Sequence, residues 1–550
     1  MSLPLPPLPT TFAAARAAYR AGDLDTAAAV CGCLLKKKAA DPAALHLMGV
    51  IRFGQGEREE SIGWLTQAVA LAPAVPALRL DLAAALMVLK RIDEAVEVLR
   101  SGLALCPGEA GLSLKLAKFL TGLDRHEQAQ TVLKTAIETT PGRVDLICDL
   151  AIQYAADLRL DEAMGLLRVA LMRRPEDSSL HLNLGTLEQA FGRLDRAVAH
   201  HRQAILYAPD NPQAHINLAM ALLCRFDFTE GFAELEWRGR HPGVARPATS
   251  APRWDGTALD GRRLLVTIEQ GFGDTVQYVR FLAPLTRMGG KVVLECRPEL
   301  ARLFAGLAGI DLHVTEPGGP LPLADVTVPL MSLPFLFGCD AAGLRRSVPY
   351  LRAPDLAPPA ALCDETDCEA TSETGDLRIG FVWAASPGRG SLFMRRSLDR
   401  RSCPLDALVP LFATKGTRFY SLQKGPAAAE LSMLGLGLGL GPEPPAPIID
   451  LGPHLADFAD TAAAIAHLDL MITVDTSVAH LAAALGKPVW ILLAQGQADY
   501  RWGIGCGSSP WYPTARLFRA GAGGWPGLVE EVRTALVARA PSRPGPPIPA

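Results

Sequence analysis

Charge of neither sign is in excess: 54 Lys and Arg stand against 57 Asp and Glu, a formal net charge of −3 over 550 residues. A chain this close to neutral has no broad positive footprint for nucleic acid and no polybasic face for a membrane surface. Cysteine is sparse and unordered. The 11 Cys form no C-x-x-C, and only Cys31 and Cys33 stand close together, so neither a disulfide framework nor a zinc site is implied. An odd, scattered set of thiols suits a reducing compartment, and a cytoplasmic location is expected. No uninterrupted apolar run reaches bilayer-spanning length, so no transmembrane segment is expected. The opening MSLPLPPLPTTF has no basic n-region and is broken by proline, so no signal peptide is expected there.

What remains is an ordinary globular composition, 49 % hydrophobic and 20 % charged, long enough for two to four domains. Its first half repeats. Prolines at 73, 107, 141, 175 and 209 are each 34 residues apart, and ten residues after each stands a small residue preceded by Leu. These are Ala83, Ala117, Ala151, Gly185 and Ala219. Twelve further on come Ala95, Ala129, Ala163 and Ala197, with Gly231 in the last copy. A period of 34 with small residues at helix crossings is the tetratricopeptide signature. Met48-Gly49 with Ala68, and Ala15 with Ala27, extend it backwards. The pattern predicts six good repeats from about residue 8 and a seventh that degenerates after Phe226. A concave solenoid face of this kind binds a peptide or protein segment; the alternative is a purely structural array. Asp23-Leu24-Asp25 is the only D-x-D in the chain and reads as turn chemistry.

Residues 239–262 are rich in Pro and Gly and mark a linker. Beyond it, 264–268 reads as a strand, Glu269-Gln270-Gly271-Phe272-Gly273-Asp274 as a tight turn, 275–285 as a helix and 291–296 as a second strand. Gly271 and Gly273, with Gln270 and Asp274, stand where backbone approaches a ligand closely. Asp274 has two readings, a catalytic carboxylate or a helix cap. A dinucleotide-binding oxidoreductase is the rival class, with Glu295 as its ribose-binding acid. Its third glycine is missing, because Val276 occupies that place. The Gly-Leu alternation at 435–441 does not supply the fingerprint either and reads as a loop.

A polar connector at 355–376 precedes a second alternation of strands and helices. The strand at 377–382 ends in Trp383-Ala384-Ala385-Ser386 and a loop bearing Arg389, Arg395, Arg396, Arg400 and Arg401, then Ser402. A strand at 419–423 runs into Lys424. The apolar run 468–474 ends at Asp475-Thr476-Ser477, a helix follows through Leu485, Gly486 stops it, and 489–493 is the next strand. In an open parallel sheet this strand-to-helix edge binds ligands, and a helix N-terminus there favours phosphate. The other reading is that Asp475, Thr476 and Ser477 only cap the helix.

The stretch DTSVAHLAAALGKPVW, with EQGFGD, RSCPL, SLQKG, YRW and SPWYP, resembles bacterial tetratricopeptide-repeat proteins with a C-terminal glycosyltransferase domain. That domain is of the heptosyltransferase-like, glycosyltransferase family 9-like kind, with the two-Rossmann GT-B fold. The resemblance implies that Asp274 is the catalytic base. It also implies that Ser386, Arg401, Ser402, Lys424, Asp475, Thr476, Ser477 and His480 bind the donor, and that Gln270, Gly271 and Gly273 line the acceptor side. Asp475 would touch sugar hydroxyls; Thr476, Ser477 and His480 would touch the diphosphate. Ala385 replaces a glycine usual in its turn, and the extra arginines blur the alignment across 387–402.

The fold expected is thus an α solenoid of tetratricopeptide repeats (8–238) followed by an α/β GT-B pair of Rossmann-like halves, 263–354 and 377–538, with a disordered tail at 539–550. The function expected is metal-independent sugar transfer, with a nucleotide-sugar as substrate and no cofactor. The acceptor would be a hydroxyl, on a protein or peptide held by the repeats. Flagellin is one acceptor that similar repeat transferases suggest, although no residue here shows it. A repeat scaffold whose GT-B half has lost catalysis is the alternative. No nucleic-acid partner is expected.

Overall fold

The computed structural model describes residues 11–157, 159–243, 249–359, 362, 376–385, 401–432, 448–496 and 499–539. The chain divides into two compact units, residues 1–183 and 184–550. Among the described residues, fourteen helices in consecutive pairs, from Phe12–Arg20 with Leu24–Lys37 to Pro212–Cys224 with Phe228–Leu235, form the tetratricopeptide repeats. Pro42, Pro76 and Pro212 open the first helix of their pairs, where a missing N–H costs nothing. At the helix crossings Ala83, Ala117, Ala151 and Ala219 are buried. Smallness is a packing requirement there: a Cβ on Gly49 would come 2.7 Å from Leu65 Cγ.

Six of the pairs turn on a left-handed residue at one register, Gly22, Gly56 and Gly192 in three copies and Lys90, Asp124 and Phe226 in three others, the last three with φ of 61°, 68° and 65°. The turn is closed by a bond such as Arg91 N–H to the Leu86 carbonyl at 2.9 Å, the Schellman arrangement. Phe226 therefore does not end the seventh repeat. Its second helix, Phe228–Leu235, is shortened and runs on as a 3₁₀ turn, Glu236–Arg240.

Among the described residues the α/β part holds two wholly parallel sheets. The first has strands β1 (Arg263–Thr267), β2 (Lys291–Cys296), β3 (Ile310–Val314) and β4 (Val326–Pro329) in the order β3-β2-β1-β4. The second has β5 (Leu377–Val382), β6 (Thr417–Ser421), β7 (Ile449–Asp450), β8 (Leu470–Val474), β9 (Val489–Leu493) and β10 (Ala515–Arg519) in the order β10-β9-β8-β5-β6-β7. Every residue of β8 and β9 is buried, as continuous apolar runs in a parallel sheet require. In each sheet the chain reverses direction beside its first strand, between β1 and β4 and between β5 and β8. Ligands bind at such switch points, beyond the carboxyl ends of the strands.

The helix after β1 is Phe272–Tyr278, followed by a 3₁₀ turn at Val279–Phe281, and not a helix over 275–285. Gly271 is its N-cap, so Asp274 lies in the first turn and is not the cap. Pro284 has no N–H for the Arg280 carbonyl and disfavours helical geometry at Ala283, which shortens the helix. Part of the expected linker is ordered: Trp254 N–H bonds the Thr327 carbonyl of β4 at 2.8 Å, and the indole is buried.

The last repeats belong to the same unit as the sheets. Phe228 and Phe232 meet Trp511 edge-on at 5.6 and 6.1 Å. Buried Arg238 donates to Glu269 at 2.8 Å and to Ser332 Oγ at 2.7 Å, which joins the end of the repeats to the turn after β1.

Candidate active site between the two sheets

On the first sheet the turn after β1 carries four of the expected residues. Gln270 is exposed, and its carbonyl accepts from Arg297 Nη2 at 2.8 Å. Gly271 N–H donates to Asp274 Oδ2 at 3.2 Å, so the aspartate satisfies the start of its own helix. Gly273 lies under the second half: a Cβ there would stand 2.9 Å from His480 Cδ2 and 3.5 Å from Ser477 Cα. Its smallness thus lets the helix Phe272–Tyr278 approach the helix Ser477–Ala484. The close approach is between two parts of the chain.

Arg501 is the hub. Its Nη2 pairs with Asp274 Oδ1, its Nη1 with Asp499 at 3.0 Å, and its Nε donates to Gln277 Oε1 at 2.5 Å. Burial works against its charge, but Tyr500, Asp499 and Asp274 outweigh that and hold the guanidinium well above its ordinary value. Arg280, also buried, donates to the Trp511 carbonyl and to Tyr350 Oη, each at 3.0 Å.

On the second sheet, β8 delivers Asp475, Thr476 and Ser477 to the switch point. Asp475 is buried, 3.3 Å from Arg401 Nη1. Burial pushes its carboxyl up, Asp499 adds to this, and Arg401 and Arg501 oppose it. Thr476 is the N-cap of the helix Ser477–Ala484, yet its side chain makes no capping bond and lies 3.3 Å from Thr473 Oγ1. Thr476 and Ser477 are half-buried. His480 is buried, with Nδ1 2.9 Å from Tyr512 Oη and its ring stacked on Trp502 at 5.3 Å. Burial, then Arg501, Arg280 and Arg401, push its pKa well down, so it is a neutral imidazole at neutral pH. It can offer an N–H to an anion but no charge.

Two expected donor ligands serve the chain itself. Ser402 Oγ accepts from Ala385 N–H at 3.1 Å. Lys424 Nζ bonds the Leu455 carbonyl. Ser386, Arg389, Arg395, Arg396 and Arg400 lie outside the described residues, as does the Gly-Leu stretch 435–441. Glu295, the acid of the dinucleotide alternative, accepts from Ile268 N–H at 2.9 Å.

The structure therefore gathers Asp274, Asp475, Thr476, Ser477, His480 and Arg401 between the carboxyl edges of the two sheets. Sequence reasoning missed Asp499 and Gln277, and it read Arg501 and Tyr512 only as members of the YRW and SPWYP motifs, not as the groups that hold Asp274 and His480. The signal was the charged pair flanking Tyr500: a buried aromatic segment does not carry an Asp and an Arg without partners for them. Among the described residues no cluster of His, Cys, Asp and Glu could hold a metal ion. Asp23 instead caps its helix by accepting from Thr26 N–H at 3.1 Å, and Asp25 accepts from Gln55 Nε2 at 2.8 Å. No helix of the described residues is long and apolar enough to cross a membrane.

Models of the tetratricopeptide repeat match residues 76–119 and 182–241, and the model of glycosyltransferase family 9 (heptosyltransferase) matches residues 445–500. Among curated proteins, Protein FlbA of Caulobacter vibrioides is 26 % identical over 304 residues, 52 % of this chain and 48 % of that one. The match thus spans about half the length of that relative. Among solved structures, a tetratricopeptide repeat protein of Parabacteroides merdae is 16 % identical with a TM-score of 0.35, covering 42 % of this chain and 90 % of its own. YrrB, a TPR protein with an unusual peptide-binding site, is 17 % identical with a TM-score of 0.26, covering 34 % and 95 %. The chain carries tetratricopeptide repeats followed by an α/β part that, over β7 to β9 and the Asp475 turn, is similar to glycosyltransferase family 9.

Proposed function

We propose that this chain transfers a sugar from a nucleotide-activated donor to an acceptor hydroxyl between the two sheets, without a divalent metal. The repeats recruit the acceptor, a protein or peptide such as a surface protein of the flagellin kind. One observation carries the reading. The family 9-like stretch holds the Thr476-Ser477 helix start at the switch point of the second sheet, with Arg401 beside it and Asp274 on the facing half. In the step envisaged, Asp274 takes the proton of the acceptor hydroxyl, whose oxygen forms the new bond to the anomeric carbon. The bond from that carbon to the diphosphate breaks, and its electron pair leaves with the nucleotide. Arg401 and the N-terminus of the helix Ser477–Ala484 meet the negative charge that develops there.

A non-catalytic docking domain is favoured by a different observation: both Asp274 oxygens already hold groups of the chain, Arg501 and Gly271 N–H. Incubation of the full chain with UDP-, GDP-, ADP- and CMP-sugars in excess chelator separates the two. The expected result is nucleotide release from one donor class, with a rise in melting temperature. Release from none of them contradicts catalysis, and release only after Mg²⁺ or Mn²⁺ is restored contradicts the metal-free reading.

A further inference from the structure

We propose that Arg501 is a positioning residue that sets the orientation of Asp274 from the opposite half, so that the base is in place only when the two sheets are joined. The inference rests on the sugar-transfer reading above. Asp274 and Arg501 are 227 residues apart in sequence, the first on the helix after β1 and the second in the segment after β9. Gln277, one helical turn beyond Asp274, accepts from Nε, so the guanidinium grips two adjacent positions on one helix face. Asp499 fixes the other edge of the fork through Nη1, at 3.0 and 3.3 Å.

The backbone behind it is held too. Ser509 Oγ donates to the Arg501 carbonyl at 2.6 Å and accepts from Trp511 N–H at 3.1 Å. Trp511 in turn is wedged against Phe228 and Phe232 of the last repeat. A guanidinium so braced cannot swing, and Asp274 follows it. The carboxylate has room for about four hydrogen bonds and spends one on Arg501 and one on Gly271 N–H. Capacity remains for an acceptor hydroxyl, in a direction that the two bonds define. Lysine could supply the charge but not the planar fork that reaches Asp274, Gln277 and Asp499 together.

A cycle of Arg501→Lys and Asp274→Asn in the full chain tests this, reading nucleotide release from the donor class that the wild type uses, with water as acceptor. Arg501→Lys should lower kcat about tenfold or more while the donor KM moves less than about twofold, and Asp274→Asn should lower kcat about a hundredfold. If Arg501 acts through Asp274, the double variant is about as slow as Asp274→Asn alone. Losses that multiply, or an Arg501→Lys defect confined to KM, would overturn the proposal while leaving sugar transfer intact. A wild type that releases nucleotide from no donor would instead remove the sugar-transfer reading, and this inference with it. Should Arg501→Lys melt before assay temperature, Gln277→Met removes one arm of the grip. It should give a smaller fall in kcat with the same lack of additivity, and multiplying losses there overturn the proposal equally.

Discussion

Position 201 shows how a single side chain can stand against its own repeat. Leu65, Leu99, Leu133, Leu167 and Leu235 fill the equivalent crossing and are all buried, but the sixth copy has His201 there, with no exposure. Neither ring nitrogen has a hydrogen-bond partner among the described residues. Gly185 makes room for the ring, since a Cβ there would come 2.5 Å from His201 Cε1. Burial, with a contribution from His200, lowers the His201 pKa to about 4 from 6.5. The unfolded chain therefore binds the proton more readily than the folded one. Stability is full above about pH 6.5 and falls as pH drops towards about 4, where both states are charged. His201→Leu restores the apolar contact, and Gly49 over Leu65 shows that the pair fits. Urea unfolding should find the variant more stable at pH 7.5, with its advantage growing by about 2 kcal/mol at pH 5. An advantage that does not change with pH would show that His201 is not the group responsible. The candidate-site residues differ. Asp274, Asp475 and His480 were legible as motif positions, but the bond that holds Asp274 from the other half was not. Its other half, Arg501, is remote in sequence, and no periodicity links the two.

Among the elements, the repeats were the most legible. A period of 34 puts the same small residues at every crossing, and the helices follow from it. The buried strands β2, β5 and β9 were also readable to the residue, because parallel strands covered on both faces are short apolar runs. The helix after β1 was not: its start depends on Gly271 as cap and its end on a proline beyond it, which no apolar stripe reveals. Nor did the repeat pattern show that the last copies share a core with the sheets. Phe226, Phe228 and Phe232 read as a fading repeat, whereas the latter two pack on Trp511, and a Cβ on Gly503 would come 2.6 Å from Phe226 Cζ. A fragment beginning at Arg253 would leave that surface bare and Glu269 without Arg238. It should aggregate or melt without cooperativity, whereas a fragment beginning at Asp177, which caps its helix through Ser179 and Leu180 N–H, should unfold cooperatively. Cooperative melting of the shorter fragment would show that the last repeats are dispensable to the α/β core.

At the scale of the whole molecule, residues 184–550 form one body in which two switch points face each other and the final repeats brace the segment between them. The first-half helices bring the remaining repeats, with their period intact. On the proposed function, the nucleotide end of a donor lies against the Asp475-to-His480 turn and Arg401. Hydrogen exchange on the full chain, read by mass spectrometry with and without UDP, GDP, ADP or CMP, tests this most directly. One nucleotide should slow exchange at residues 475–485 and 401–408, where helix N-terminal amides meet phosphate. Unchanged exchange at both segments with all four, or protection confined to the repeats, would contradict it.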